Sequence, residues 1–196
     1  MYLVVGLGNP GEEYADTPHN LGFKVIDRLA EAHAIRVNRK DSRALVGAGE
    51  IGGRPVMLAK PQTFMNLSGG PVKALMEKHS FTAKDLILVY DELDLPWAML
   101  RVRPKGSAAG HHGVESVVKT LGTSDFARVR LGVHPGYPIR DGIEYLLSPM
   151  KRQQLKELDE LLGQAADAVG SVITEGVEKA MTKFNRRAQG LKTEDG

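Results

Sequence analysis

The spacing of apolar residues changes period several times along the chain. Tyr2 to Leu7 is a short apolar run ending in glycines and predicts a buried strand. Asn20 to Ala34 has helical spacing, with Phe23, Ile26, Leu29 and Ala30 on one face. Ala44 to Ile51 and Pro55 to Ala59 flank Gly52-Gly53-Arg54, a hairpin pattern. Pro71 to Lys78 reads as a helix. Asp85 to Tyr90 holds a continuous apolar run suited to a central parallel strand. Leu100 to Arg103 and Arg128 to Val133 alternate as strands do, and Gly113 to Leu121 reads as a helix between them. Ser148-Pro149 is a helix-start signal, with serine as N-cap and proline at the first helical position. A stripe from Leu155 to Val172 follows it, Gly176 breaks it, and Val177 to Arg187 predicts a further helix. Alternating strands and helices predict a single α/β domain over residues 1–188. Its sheet is mixed, mostly central and flanked by helices, and its C-terminal end is helical. Residues 189–196 read as a frayed polar tail.

Composition narrows the function classes. A chain of 196 residues buries roughly 70% of its unfolded surface and needs no disulfide or metal to hold its fold. There are no cysteines, which excludes disulfides, zinc-thiolate sites, iron–sulfur clusters and cysteine nucleophiles. The N-terminal apolar run stops within a few residues in a Gly/Asn/Pro loop, unlike a signal peptide. No apolar run reaches the roughly 20 residues of a membrane helix, so a soluble, cytoplasmic protein is expected. The net charge of +2 is too small to indicate nucleic-acid binding by itself.

Gly6-Leu7-Gly8-Asn9-Pro10-Gly11 matches the dinucleotide-binding pattern G-x-G-x-x-G after a strand. That chemistry needs a helix starting at the third glycine to hold a pyrophosphate. Here Glu12 and Glu13 follow, and two acids would repel it. Pro18 also biases Thr17 away from helical geometry. The glycines serve equally as a tight turn leaving the strand.

Sites in α/β sheets gather outside the carboxyl ends of the strands. Asn9 follows the first strand, and Asp91 follows Leu-Ile-Leu-Val-Tyr. His19 stands at the start of the helix after Pro18, where the helix N-terminus favours the neutral imidazole. Asp91 is a candidate carboxylate partner for it. With neither a cysteine nor a G-x-S-x-G elbow, a His–Asp pair points to water activated directly by the base. A turn-forming role within Asp91-Glu92-Leu93-Asp94-Leu95-Pro96 fits Asp91 as well as function does.

These residues fall in an ordered set of motifs. G-L-G-N-P-G-E-E-Y and T-P-H-N-L-G-F are followed by Pro61-Gln62-Thr63-Phe64-Met65-Asn66-Leu67-Ser68-Gly69. Asp91 to Pro96 and the G-H-x-G stretch at Gly110 to Gly113 come next. Together they resemble the bacterial peptidyl-tRNA hydrolases up to about Arg187. The resemblance implies hydrolysis of the ester joining a peptide to tRNA, with His19 as base and Asp91 as its carboxylate partner. It implies that Asn9 contacts the peptide part and that Asn66 binds substrate and stabilises the reacting carbonyl. Tyr14 and Phe64 would line the site for the tRNA end. Uncharged amides suit both a peptide backbone and a developing oxyanion. Neither a metal nor an organic cofactor is implied. The implied partner is peptidyl-tRNA, held by its acceptor stem and peptide end, with no role for DNA or membrane. A monomer is expected.

The chain departs from the family pattern twice. Pro18 replaces a usual arginine before the histidine, which changes local charge but not the base. His112 replaces the usual asparagine after the G-H histidine, a position implied to place water and substrate. His111-His112 makes a poor metal site, because adjacent residues rarely both ligate one ion. Arg101 with Arg103, and Arg128 with Arg130, share a strand face by spacing, and a solvated sheet surface explains them as they stand. The resemblance implies that Arg103 and Arg130 clamp the tRNA 5′ phosphate, extended by Lys105, Lys183, Arg186 and Arg187. A planar guanidinium can hold a phosphate bidentately. A non-catalytic RNA-binding relative, such as a splicing factor of this fold, is the alternative; retention of His19 and Asp91 argues against it.

Overall fold

The computed structural model describes residues 1–185. Seven strands form one sheet: β1 (Tyr2–Gly6), β2 (Arg39–Asp41), β3 (Ala44–Ile51), β4 (Arg54–Pro61), β5 (Leu86–Pro96), β6 (Leu100–Arg103) and β7 (Ala127–His134). Their order is β2-β3-β4-β1-β5-β7-β6. The central strands β4, β1, β5 and β7 are parallel, while β2, β3 and β6 pair antiparallel. The sheet is therefore mixed, as expected.

Six helices flank it: α1 (Leu21–Ala32), α2 (Gly69–Lys78), α3 (His112–Leu121), α4 (Gly142–Leu147), α5 (Arg152–Glu175) and α6 (Val177–Phe184). Val4, Ile87 and Val89 face α1 and α5 on one side. Leu3, Val5, Leu88 and Tyr90 face α2 and α3 on the other. Both faces of the central strands are thus buried, which is why they read as unbroken apolar runs. The hairpin turn consists of Gly52 and Gly53 alone, since Ile51 pairs with Arg54. Both glycines have positive φ, +58° and +77°, as a two-residue primed turn requires.

Two expectations need correction, and a third falls partly outside the described residues. Asp91 to Pro96 is not a turn. It continues β5, whose backbone pairs with β7 through Glu92 and, after a bulge, at Pro96. Ladder pairing with β7 overrides the turn-like composition. Ser148-Pro149 does not open the long helix, which starts at Arg152 with Lys151 as N-cap. Ser148 closes α4 instead, its hydroxyl donating to the Glu144 carbonyl at 2.6 Å. The helix from Val177 ends at Phe184, and the expected continuation through Arg186 and Arg187 and the tail at 189–196 lie outside the described residues.

Candidate active site

The glycine-rich turn after β1 serves close packing. A Cβ on Gly6 would lie 2.1 Å from the Gly22 carbonyl oxygen, and one on Gly22 would lie 2.5 Å from both the Leu7 nitrogen and the Val89 carbonyl oxygen. The first turn of α1 is therefore pressed into the cleft where β1 ends beside β5. Pro18 to Asn20 form a short 3-10 turn just before α1. This close approach carries His19 to the sheet. β1 stops at Gly6 opposite Val89. β5 runs on, so Asp91 lies inside its strand yet beyond the end of β1.

His19 Nδ1 lies 2.7 Å from Asp91 Oδ2, and Asp91 is fully buried. The second carboxylate oxygen, Oδ1, is 3.0 Å from His111 Nε2. His111 is the N-cap of α3, where its Nδ1 accepts the backbone N–H groups of Gly113 and Val114 at 3.1 and 3.2 Å. An accepting Nδ1 assigns the ring proton to Nε2, which donates to Asp91. Asp91 is thus braced from both sides. Burial opposes its ionisation, but the two imidazoles hold its carboxyl well below the usual carboxylate range. Burial likewise pushes His19 down, and the attraction and hydrogen bond of Asp91 outweigh it, so its pKa is raised. The expected preference of a helix start for neutral imidazole is overridden by the carboxylate. With Nδ1 engaged, His19 Nε2 has no partner among the described residues and is the ring nitrogen available for chemistry.

Asn9 is also braced. Its backbone N–H donates to Asn20 Oδ1 at 2.8 Å, and its carbonyl accepts from Asn20 Nδ2 at 2.9 Å. Its own Oδ1 accepts the Met65 N–H at 2.8 Å, which leaves the Nδ2 donor available. Asn9, Tyr14, His19, Phe64, Asn66 and His112 all line one cavity of about 310 Å³. Asn66 and His112 are exposed at its edge, and neither side chain has a hydrogen-bond partner among the described residues. His111 and three residues of α4, Ile143, Leu146 and Leu147, complete the wall. Phe64 and Ile143 are 63% and 56% exposed, which gives the cavity an apolar rim.

His19, Asp91 and His111 also form a group with metal-ligand geometry, although adjacent His111-His112 had suggested none. The hydrogen bonds argue against that use. Binding at His111 Nε2 would move the ring proton to Nδ1, against two backbone N–H donors. The group is a hydrogen-bonded relay around one carboxylate.

Arg103 and Arg130 lie apart from this cavity, on β6 and β7. Arg101 is opposite Arg130 and Arg103 opposite Arg128. Facing residues on antiparallel strands share a side, so all four arginines stand on one face. Valines and leucines at the alternate positions fill the core on the other face. Arg128 is fully buried; it donates to the Ser124 carbonyl at 2.6 Å and stacks 4.3 Å from the Phe126 ring centre. It serves the fold. Arg101 and Arg103 form no ion pair among the described residues, and Arg130 contacts Glu92 at 3.4 Å. Lys105 is exposed, and Lys183, half exposed, is paired with Glu175 at 2.7 Å.

Sequence reasoning missed His111, Asn20, Met65 and α4. G-H-x-G carried His111, but the spacing could not show what it touches. α4 had a readable start, since Asp141 caps it and is followed three residues later by Glu144, but six residues show no periodicity.

Residues 3–192 match the family model described as peptidyl-tRNA hydrolase. A protein of Solibacter usitatus bearing that name is 64% identical over all of both chains. One from Koribacter versatilis is 48% identical over 96% of this chain and 94% of its own. The crystal structure of peptidyl-tRNA hydrolase from Acinetobacter baumannii superposes with a TM-score of 0.88 at 31% identity, covering 96% of each chain. With matches of this extent in sequence and in fold, the chain belongs to the peptidyl-tRNA hydrolase family.

Proposed function

We propose that this protein hydrolyses the ester between a peptide, or an N-blocked amino acid, and the terminal ribose of tRNA, with His19 as general base. The observation that carries this reading is the His19–Asp91 hydrogen bond of 2.7 Å beside a cavity lined by two asparagines. His19 Nε2 takes a proton from water as the water oxygen attacks the ester carbonyl carbon. The carbonyl π electrons move onto oxygen, and amide donors from Asn9 Nδ2 and Asn66 meet the developing negative charge. The tetrahedral adduct collapses, the ribose oxygen departs, and the imidazolium returns its proton to that oxygen. Asp91 orients the ring and stabilises its charged form. His111 orients Asp91.

Tyr14 and Phe64 receive the tRNA end, and the apolar rim covers the reacting ester. Arg103 and Arg130 hold the 5′ phosphate of the acceptor stem, with Lys105 extending the basic surface. β7 and β6 lie one and two strand positions beyond β5, roughly 5–10 Å across the sheet. The two ends of a tRNA meet at one end of the acceptor stem, so a clamp this close to the base suits the substrate. Recognition through phosphate and helix shape accommodates many tRNAs. The chain acts alone, as a monomer in the cytoplasm. No helix among the described residues is long and apolar enough to cross a membrane.

A non-catalytic RNA-binding role is not favoured, because a buried, doubly braced carboxylate beside an available imidazole is more than RNA binding requires. Turnover of N-blocked aminoacyl-tRNA tests the reading. The native chain releases free tRNA, and His19→Ala lowers turnover by roughly a hundredfold or more with tRNA binding largely kept. Near-normal turnover in that variant would remove His19 as the base.

A further inference from the structure

One carboxylate pairs with the arginine face among the described residues. Glu92 Oε2 lies 3.4 Å from Arg130 Nη1, and this is the single ion pair the four arginines make among the described residues. Glu92 is 4% exposed, whereas the Arg130 side chain is 18% exposed. Arg130 Nε is buried without a partner among the described residues. A Cβ on Gly106 would lie 3.3 Å from Arg130 Nη2, so the loop from β6 to α3 packs against the guanidinium. Arg130 is therefore held in place but incompletely satisfied. Burial pushes the Glu92 carboxyl up, and Arg130 offsets this only in part. Such a long ion pair is a weak use of a buried acid if its purpose is stability.

The same geometry has a clear consequence for an anion. A phosphate on Arg130 must approach a carboxylate already resting on that guanidinium. Glu92 therefore subtracts from phosphate affinity. The chemistry of the reaction gives this a use. The 5′ phosphate is identical on substrate, transition state and deacylated product, so a tighter clamp lowers KM without lowering the barrier and slows product departure.

We propose that Glu92 is the specificity-setting counter-charge of the 5′-phosphate clamp, weakening the grip of Arg130 so that the deacylated tRNA leaves. This rests on Arg130 being part of that clamp. Glu92 acts through Arg130 and is a positioning residue, not a catalytic one.

The test measures binding of a deacylated acceptor-stem hairpin ending in CCA, with either a 5′ phosphate or a 5′ hydroxyl. In Glu92→Gln the phosphorylated hairpin should bind roughly five- to tenfold more tightly, and the hydroxyl hairpin within about twofold of native. On full-length substrate KM should fall, and inhibition by deacylated tRNA should strengthen. Glu92→Asp keeps the charge and should restore the native phosphate preference. Glu92→Met, neutral and of similar length, supplies the same readout if the amide variant does not fold. An unchanged or weakened phosphate preference in a folded neutral variant overturns the proposal. Arg130→Ala in the same assay separates the two readings. If it leaves the phosphate preference intact, the clamp reading fails. If it abolishes the preference while the neutral Glu92 variants behave as native, the clamp stands and Glu92 has no part in it.

Discussion

The catalytic corner and the arginine face are adjacent on the same sheet and differ in how their polar atoms are satisfied. At the catalytic corner, both Asp91 oxygens, both His111 nitrogens, His19 Nδ1 and Asn9 Oδ1 all have partners. Of these four residues, the donor and acceptor left over among the described residues are Asn9 Nδ2 and His19 Nε2, two of the atoms the proposed hydrolysis uses. On the arginine face, among the described residues, Arg101 and Arg103 donate only to neighbouring backbone carbonyls, and Arg130 Nε has no partner. Like charges directly opposite across strands are destabilising, so an anion from outside, as in the proposed clamp, would stabilise that face. The contrast separates preorganised chemistry from unfinished binding. Variants in the first region should cost rate, and variants in the second should cost affinity.

The largest effect that would break this comparison belongs to Asp91. Asp91→Asn should lower kcat/KM by roughly a hundredfold or more, because the ring loses the charge that stabilises its protonated form. The pH profile gives a sharper result. The base must be neutral, and it is protonated below its pKa. In the native chain burial lowers that value and Asp91 more than offsets it, so the acid limb should lie above the roughly 6.5 of a free imidazole. In Asp91→Asn burial remains and the carboxylate is gone, so the limb should move to lower pH as the plateau drops. A limb that stays where it is would mean that Asp91 does not set the ionisation of His19.

The second effect is smaller and concerns binding. Arg103→Ala should weaken intact tRNA by roughly three- to tenfold and reduce the magnitude of the salt slope by about one. A short substrate lacking the 5′ phosphate should lose much less. Equal losses on both substrates would move Arg103 from the clamp to the fold.

The same contrast explains what was legible in the sequence. Buried parallel strands announce themselves, since β1 and the start of β5 must be apolar on both faces. The Gly52-Gly53 hairpin is equally local. The end of β5 was hidden because Asp91 to Pro96 has turn-like composition, and only pairing with β7 makes it a strand. The catalytic corner was hidden for a stronger reason. Asp91 meets partners 72 residues before it and 20 residues after it. No local period encodes such contacts: a strand end and a helix start put Asp91 and His19 forward only as a candidate pair, motif order added the weight, and His111 was passed over. On the arginine face, alternation was enough to put the charges on one side, but not to show that Arg128 is buried and that Arg103 forms no ion pair among the described residues.

His112 joins the two regions, and its effect should be the smallest. It is the first residue of α3, directly after the fully braced His111, yet it is exposed and has no hydrogen-bond partner among the described residues. It lines the catalytic cavity but has the unfinished character of the arginine face. An amide places a donor and an acceptor on one head, whereas a neutral imidazole places them on opposite sides of a larger ring. The ring can replace one amide hydrogen bond easily, and both only with a shifted geometry. His112→Asn should therefore stay within about tenfold of native, under roughly 1.4 kcal/mol in barrier. His112→Ala should lose more than His112→Asn, because water or a substrate oxygen is left without a partner, but less than Asp91→Asn. Comparing kcat/KM for the three chains decides between the two characters. If His112→Ala equals native, the residue is a bystander and the cavity functions with Asn9 and Asn66 alone. If native is inactive and His112→Asn gains turnover, the imidazole blocks the site, and the RNA-binding alternative becomes the better account of a chain whose catalytic corner is otherwise complete.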